Sequence, residues 1–420
     1  MGPGNLALSA ALAPLLDAFA PGMDIYLPGT TAEVAALADA LSAEPERLRG
    51  VHVRGCFVPG MNAFDYAGLH PEAQLTTFML PAQMRESFRA GRINLIGRTY
   101  RGAADTLAAA EYDLAIAHVA PPGPDGLCSL GIASDFAPLV WPRARRRALI
   151  INPDMPVPPR ALKLPLAEAD IVVECAGPLV TMADSPAGEE AERIARRVAA
   201  LIPDGAHLQT GIGGAPGAIW NFLTDHKELT LYSGMANDGL LTLAEAGALA
   251  PSGHVAGIAY GSRAFYDSLA RTDLIDFRTV IDTHGFPQLS ARPRLHAING
   301  ALEVDLFGQV NVEWQGGKLA SGVGGGPDFM RGAAASPGGR SIIALPSTAR
   351  KRSLSRIVAR LSSPSTGIAR SDSDTVVTEH GVAELRDKGI DARAEALIAI
   401  ADPAFRDDLA ESWRALRATF

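Results

Sequence analysis

Short apolar runs alternate with helix-like stretches along almost the whole chain, and that rhythm restricts the fold more than any other feature. In the first half, runs near Met23–Leu27, Arg49–Arg54, Leu75–Leu80, Ile93–Gly97, Leu114–Val119, Ala148–Asn152 and Asp170–Cys175 have the length of strands. Helical patterns such as Ala32–Leu48 and Ala82–Ala90 lie between some of them. The second half repeats the pattern near His207–Thr210, Leu229–Tyr232, Val255–Ala259, Thr279–Ile281, Leu295–Leu306, Ser341–Leu345 and Asp374–Thr378, and a helix-rich tail runs from about Ala392. Such alternation predicts an α/β protein with mostly parallel sheets and helices packed on them.

At 420 residues the chain is long for one core, so two domains are expected. The break falls in Ala176–Gly188, which is rich in turn residues and also starts a helix. Asp184 or Ser185 can cap that helix, Pro186 suits its first turn, and Glu189 and Glu190 favour its N-terminal dipole. The boundary is placed near residue 183, giving domains of 1–182 and 183–420.

Acidic residues outnumber basic ones by 46 to 38, so nothing global attracts nucleic acid. The run Arg143, Arg145, Arg146, Arg147 reads as a solvated strand edge. Cys56, Cys128 and Cys175 are widely spaced and odd in number, which fits neither a disulfide framework nor a zinc site and suits a reducing compartment. No metal site is expected, because the nine histidines lack ligand spacing. The apolar patch from Leu6 to Phe19 is interrupted by Asp17 and has no basic residue before it. Neither a signal peptide nor a membrane span is expected, and the chain reads as cytoplasmic.

Five stretches could carry chemistry. Gly211, Ile212, Gly213, Gly214 and Ala215 follow a predicted strand and open a helix, where free backbone N–H groups can meet an anion. Pro216 stands where a dinucleotide fingerprint would continue, which disfavours an NAD enzyme. A second cluster, Gly322 and Gly324–Gly326, follows a probable hairpin at Gly308–Lys318; Pro327 pushes position 326 toward extended backbone. Between the clusters, Glu303 and Asp305 alternate with Leu302, Val304 and Leu306, so a strand would put both acids on one face. That spacing alone fits two readings, an exposed acidic strand face or a nucleophilic carboxylate on a rigid element. Arg350, Lys351 and Arg352 follow another strand and form either a solvated loop or a phosphate contact. Thr378–Arg386 reads as a strand-to-helix turn with Gly381 at its bend.

Taken in order and spacing, these stretches resemble the acetyl-CoA hydrolase/transferase family. The resemblance adds Pro121–Gly131, Asn152–Pro156, Tyr260–Arg263, Leu345–Ala349 and Ser355–Val358, and covers nearly the whole chain. It implies two tandem α/β domains with the active site at their interface, and a homodimer. It implies a CoA-transferase that takes an acyl-CoA and a small carboxylic acid, needs no cofactor beyond coenzyme A as substrate, and passes through a covalent glutamyl-CoA thioester. By resemblance Glu303 is the nucleophile, and the N–H groups of Ala215 and Gly381 form the oxyanion hole. Gly211, Ile212, Gly213, Gly214, Ala215, Gly324, Gly325 and Arg350 would contact CoA. An acyl-CoA hydrolase would need the same glutamate, and a catalytically silent CoA-binding sensor is the reading from another class. The chain departs from the pattern at Arg350–Arg352, at Val157, and at Gly326, where relatives commonly carry Gln.

Overall fold

The computed structural model describes residues 11–182 and 188–420. The proposed boundary near 183 and the caps Asp184, Ser185 and Pro186 lie outside the described residues, as does the first part of the Leu6–Phe19 patch. Two compact units emerge. The first comprises Met1–Ala183, Gly234–Asn237 and His254–Thr283, and the second Asp184–Ser233, Asp238–Gly253 and His284–Phe420. Two stretches of the second half therefore cluster with the first unit, which a single cut along the sequence does not capture.

The first unit is built on seven strands: β1 (Asp24–Tyr26), β2 (His52–Arg54), β3 (Gln74–Thr77), β4 (Ile93–Leu95), β5 (Tyr112–Val119), β6 (Ala144–Ile151) and β7 (Ile171–Glu174). They lie in the order β4-β3-β2-β1-β5-β6-β7, and every neighbouring pair is parallel. Strand β5 reads Tyr-Asp-Leu-Ala-Ile-Ala-His-Val and is buried along nearly its whole length, as a strand covered on both faces must be. The arginine run does not form an edge. Strand β6 is interior, but its first half extends past the register of β7, which begins at Ala148, so Arg145 and Arg146 reach solvent. Of the predicted helices, Ala32–Leu48 is shorter than expected, running as α1 (Ala35–Ala43) and a 3-10 turn at Pro45–Leu48. Helix α2 (Tyr100–Ala109) starts where the Thr99 hydroxyl accepts from the Gly102 amide.

The second unit opens with α3 (Glu189–Ala199), whose first turn carries three glutamates and whose last turn carries Arg196 and Arg197, matching the helix dipole at both ends. Its Ile194, Ala195 and Val198 are buried, as the periodicity required. The strands β8 (His207–Thr210), β9 (Thr230–Leu231), β10 (Leu295–Asn299), β13 (Arg340–Ala344), β15 (Thr375–Thr378) and β16 (Gly381–Glu384) form one sheet in the order β9-β8-β10-β13-β15-β16. All its pairs are parallel except the last. The expected run Leu295–Leu306 divides at Asn299-Gly300. Beyond that turn, β11 (Glu303–Asp305), β12 (Val310–Asn311) and β14 (Ile357–Val358) make a separate small sheet with β11 in the middle. The unit also includes helices α4 (Gly214–Ala218), α5 (Gly326–Ala335), α6 (Ile390–Ile400) and α7 (Arg406–Arg417), the last two being the predicted tail.

Candidate active site

In an open parallel sheet the loops after the strand C-termini are where ligands bind. In the second unit these loops are the first glycine turn after β8, the Gly300 turn after β10, Ser347 after β13 and the Glu379-His380 turn after β15. Every predicted site residue belongs to this unit or to segments leading from these strand ends.

The two glycine clusters meet on one side chain. A Cβ on Gly211 would stand 2.7 Å from Asn299 Oδ1, so only glycine lets the turn come this close. A Cβ on Gly326 would lie 3.7 Å from the same oxygen, an ordinary contact. Asn299 is fixed in turn by Gln209: its Nδ2 donates to Gln209 Oε1 at 2.8 Å, and Gln209 Nε2 donates back at 3.3 Å. Ile212 projects at 50% exposure, Gly213 and Gly214 lead into α4, and Ala215 is the second residue of that five-residue helix. Gly324 has φ 68°, a conformation that side chains resist, and Gly325 caps α5. Position 326 is helical rather than extended, because Gly326 opens α5 and Pro327 occupies the first turn, where its missing N–H costs nothing.

Glu303 begins β11 and pairs with Asn311 of β12, while the next residue, Val304, pairs with Ile357 of β14. Its half-buried carboxylate accepts from the Ser362 hydroxyl at 2.6 and 2.8 Å, from the Ser362 amide at 3.1 Å and from Asn311 Nδ2 at 3.3 Å. Asp305 has a different environment. It is 1% exposed, and its Oδ1 accepts from the amides of Phe307 and Gln309 at 3.1 and 2.9 Å while Oδ2 takes Gln309 Nε2 at 2.8 Å. Burial pushes its pKa up despite these donors. The two acids therefore do not form an exposed acidic face. Asp305 closes the Phe307–Gln309 turn, and Glu303 alone remains reachable.

Thr378–Arg386 is a hairpin, not the expected strand-to-helix turn. Thr378 pairs with Gly381 across the two-residue turn Glu379-His380, and the chain continues as β16. A Cβ on Gly381 would approach Ile400 Cγ2 of α6 to 3.2 Å, so a side chain fits here only if Ile400 gives way by a few tenths of an ångström. Pairing with Thr378 places the Gly381 backbone at the end of the sheet. Arg350, Lys351 and Arg352 form the tip of another short hairpin, with φ of 50°, 56° and 68°. Three non-glycine residues in the left-handed region store roughly 1–2 kcal/mol of strain each. Arg352 is bonded to buried Asp402 at 2.6 Å.

Sequence reasoning missed Ser362, which lies 59 residues from Glu303. It also quoted Ser347 and Arg356 without roles. The Ser347 amide and hydroxyl both donate to Glu379, at 2.9 and 2.5 Å. Arg356 NH1 donates to the Ala301 carbonyl at 3.3 Å, and the Arg356 carbonyl accepts from the Val304 amide at 2.8 Å, so this arginine is tied to both sides of Glu303. Nothing in local spacing signals either contact. In the first unit the quoted motifs Pro121–Gly131 and Asn152–Pro156 do meet: a Cβ on Gly131 would collide with Met155. Among the described residues no cluster of three or more His, Cys, Asp or Glu could hold a metal, and no helix is long and apolar enough to cross a membrane.

The kinship is consistent with this geometry. Residues 261–413 match the acetyl-CoA hydrolase/transferase C-terminal domain. The 4-hydroxybutyrate coenzyme A transferase of Clostridium kluyveri is 36% identical over 313 residues, 72% of either chain. A succinyl-CoA:acetate/propanoyl-CoA:succinate CoA transferase of Fasciola hepatica is 34% identical over 71% of this chain and 65% of its own. The crystal structure of RipA from Yersinia pestis superposes with a TM-score of 0.88 at 29% identity, covering 98% of this chain and 97% of the other. With identity of this level over more than two thirds of its length, the chain belongs to the acetyl-CoA hydrolase/transferase family.

Proposed function

We propose that the protein is a CoA-transferase that moves CoA from an acyl-CoA to a carboxylic acid, with Glu303 as the nucleophile. The observation that carries this is a single reachable carboxylate, on the middle strand of a small sheet, in a family whose matched relatives are named as CoA transferases. In the proposed route, a Glu303 oxygen attacks the thioester carbonyl, the C–S bond breaks, and an acyl-glutamyl anhydride and CoA thiolate result. The thiolate attacks the glutamyl carbonyl, expels the first carboxylate and leaves a glutamyl-CoA thioester. An acceptor carboxylate then runs the two steps in reverse. The thioester bond energy is conserved, so no further cofactor is needed.

A carboxylate is a weak nucleophile, and each tetrahedral oxyanion needs donors. Ala215 and Gly381 N–H groups are assigned that task, worth about 3 kcal/mol each by analogy with other oxyanion holes. Gly211 to Ala215, Gly324, Gly325 and Arg350 are assigned to CoA, whose remote grip can be expressed in the transition state. The strain in the 350–352 turn supports a functional reason for its shape. A cytoplasmic homodimer completes the proposal.

A second reading has its own observation. Two donors from Ser362, its hydroxyl and its amide, already close on Glu303, as they would if this carboxylate were a strap fastening that loop in a protein that binds CoA without reacting. Hydrolysis is a third outcome, since an acetyl-CoA hydrolase of Candida albicans is among the partial matches. Incubation with acetyl-CoA and no acceptor, followed by borohydride and peptide mass spectrometry, decides among them. Transfer chemistry puts a reducible adduct on the Glu303 peptide, and an acceptor acid then yields new acyl-CoA faster than free CoA. A strap gives no adduct at all. A hydrolase releases free CoA at one rate with or without acceptor.

A further inference from the structure

Among the described residues, only Arg350, Lys351 and Arg352 put consecutive non-glycine residues in the left-handed region, with φ of 50°, 56° and 68°. L-residues visit that region singly, not in runs. The flanking hairpin is too small to impose such a shape. Thr348 pairs with Ser355 and Ala349 with Leu354, and a two-stranded hairpin is marginal by itself. Within the tip, the Ser353 amide and hydroxyl close the turn on the Arg350 carbonyl at 3.4 and 2.8 Å.

The restraint from outside is Asp402. Its Oδ2 accepts from Arg352 Nη2 at 2.6 Å, with the arginine side chain 72% exposed and the aspartate 4%. The acid is therefore the anchor and the arginine the tether. Asp402 is itself fixed: Oδ1 accepts from the Ala404 amide at 3.0 Å and so opens the 3-10 turn Pro403–Phe405 ahead of α7. Two residues back, the Ile400 carbonyl accepts from the Thr378 hydroxyl at 2.6 Å, which ties the end of α6 to β15. His380 Nε2 lies 3.8 Å from the same Oδ2, beyond hydrogen-bond reach.

With Arg352 occupied, two cations of the turn are left. Arg350 and Lys351 are both exposed, and among the described residues no ion pair or side-chain hydrogen bond engages either. The Arg350 head lies against the neighbouring hairpin tip, where a Cβ on Gly316 would stand 3.1 Å from Nη2.

We propose that Asp402 is a positioning residue for CoA: by tethering Arg352 it holds the 350–352 turn in the left-handed shape that presents Arg350 and Lys351 to a phosphate of the substrate. This rests on the assignment of Arg350 to CoA. Apparent affinity scales with the fraction of chains already in the competent shape, so a turn fixed before the ligand arrives binds more tightly than a relaxed one. The same residues used differently would give the opposite sign. Were Arg352 itself the phosphate ligand, Asp402 would compete for it, and freeing Arg352 would tighten binding.

Desulfo-CoA lacks the thiol and forms no adduct, so calorimetry with the full chain measures the grip alone. Asp402→Asn keeps an oxygen for the Ala404 amide and loses the charge that holds Arg352. Its Kd should rise roughly five- to tenfold, as when only a tenth to a fifth of the turns stay competent. Glycine takes φ 68° freely, so Arg352→Gly relieves the strain that the tether opposes, and adding Asp402→Asn to it should change nothing further. In turnover, Asp402→Asn should raise KM for acetyl-CoA and leave kcat and the KM of the acceptor acid unchanged, a split that a general loosening of α6 and α7 would not give. Binding that is unchanged or tighter in Asp402→Asn, or losses that add in the double variant, would overturn the positioning role. If the Glu303 adduct still forms in that event, the transferase reading stands and only the role of Asp402 falls. If the wild type binds no desulfo-CoA, both fall.

Discussion

Glu33, Asp135 and His118 in the first unit, and Asp374 and Glu379 in the second, are all buried, yet burial prevails over the local hydrogen bonds in the first set and is outweighed in the second. Burial pushes Glu33 up to about 7, with Oε1 lacking any hydrogen-bond partner, and Asp135 up to about 6 despite donors that include Phe136 N, Thr30 and Tyr100. Burial also lowers His118 to about 4; its ring sits between the Ala32 carbonyl and Asn152 Nδ2, an arrangement that suits a neutral imidazole. In the second unit burial is outweighed. Arg386 at 2.5 Å and the Ser341 amide hold Asp374 below its ordinary range, as Ser347 does for Glu379. The difference teaches where negative charge is tolerated. Around Glu33 and Asp135 burial prevails, whereas the donors on Asp374 and Glu379 favour the ionised form, the kind of environment a carboxylate nucleophile requires.

The sharpest way to break this comparison is at Glu303. Glu303→Gln keeps the shape and removes the anion, so transfer from acetyl-CoA should fall on the order of 10⁴-fold or more, as when a covalent nucleophile is lost. Steady-state assays with an acceptor acid measure it. A variant within tenfold of wild type would place the chemistry elsewhere and leave Glu303 as a strap.

Next in size is the pH behaviour of the first unit. Glu33 has a folded pKa near 7 against an ordinary 4.5. A carboxyl raised in the folded state stabilises fully below the unfolded value and loses that contribution as pH rises through the folded one, here from about 4.5 to about 7. A shift of this size corresponds to about 3 kcal/mol. Glu33→Gln stays neutral throughout, so relative to wild type it should gain up to about 3 kcal/mol at pH 8 and almost nothing at pH 4.5. Urea unfolding at the two pH values, followed by a probe in the first unit, checks it. His118 works oppositely: its depressed pKa costs stability as pH falls from 6.5 toward 4, and Glu33→Gln leaves that limb intact.

Ser362→Ala is expected to be smaller. It removes the hydroxyl and leaves the amide and Asn311 on Glu303, so the second unit should lose about 1 kcal/mol. Denaturation combined with the adduct assay separates the roles. A reacting Glu303 should change its rate of adduct formation, whereas a strap should change only stability.

What the residues disclosed beforehand follows from how far local patterns reach. Strand β5 and the last half of β6 are legible because a strand buried on both faces must be apolar throughout. The two glycine clusters are legible because glycine without a strand's need for side chains signals close approach, here to Asn299. The two-residue strand β9 falls inside the expected run Leu229–Tyr232, but it is too short to carry a period, so its bounds could not be read. Thr378–Arg386 misleads because Gly381 resembles a bend before a helix, although it pairs with Thr378 in a hairpin and faces Ile400 of α6. The most informative contacts bridge large sequence separations: Ser362 to Glu303, Ser347 to Glu379, and residues 254–283 joining the first unit. Periodicity and turn chemistry have no term for such pairs.

The smallest effect concerns Gly326. It opens α5, one residue after the cap Gly325, and a Cβ there meets nothing closer than Asn299 Oδ1 at 3.7 Å. The helix start therefore accepts a side chain without backbone strain, which makes Gly326→Gln a clean substitution. A Gln amide has two places to go. It can bond Asn299, which Gln209 already holds, or it can project into the space that glycine leaves open and present a hydrogen-bonding group to an acyl chain. In the second case the wild type, lacking that group, should accept bulkier and less polar acyl groups than the variant. One hydrogen bond to a substrate hydroxyl is worth about 0.5–1.5 kcal/mol, so the change in preference should be several-fold and no more. Matched acyl-CoAs differing in branching and in a terminal hydroxyl measure it as ratios of kcat/KM. The variant should lose activity toward branched chains, gain relatively on the hydroxylated one and keep acetyl transfer. If all substrates fall by one factor, the added amide has gone to Asn299, and position 326 serves only the glycine turn it faces.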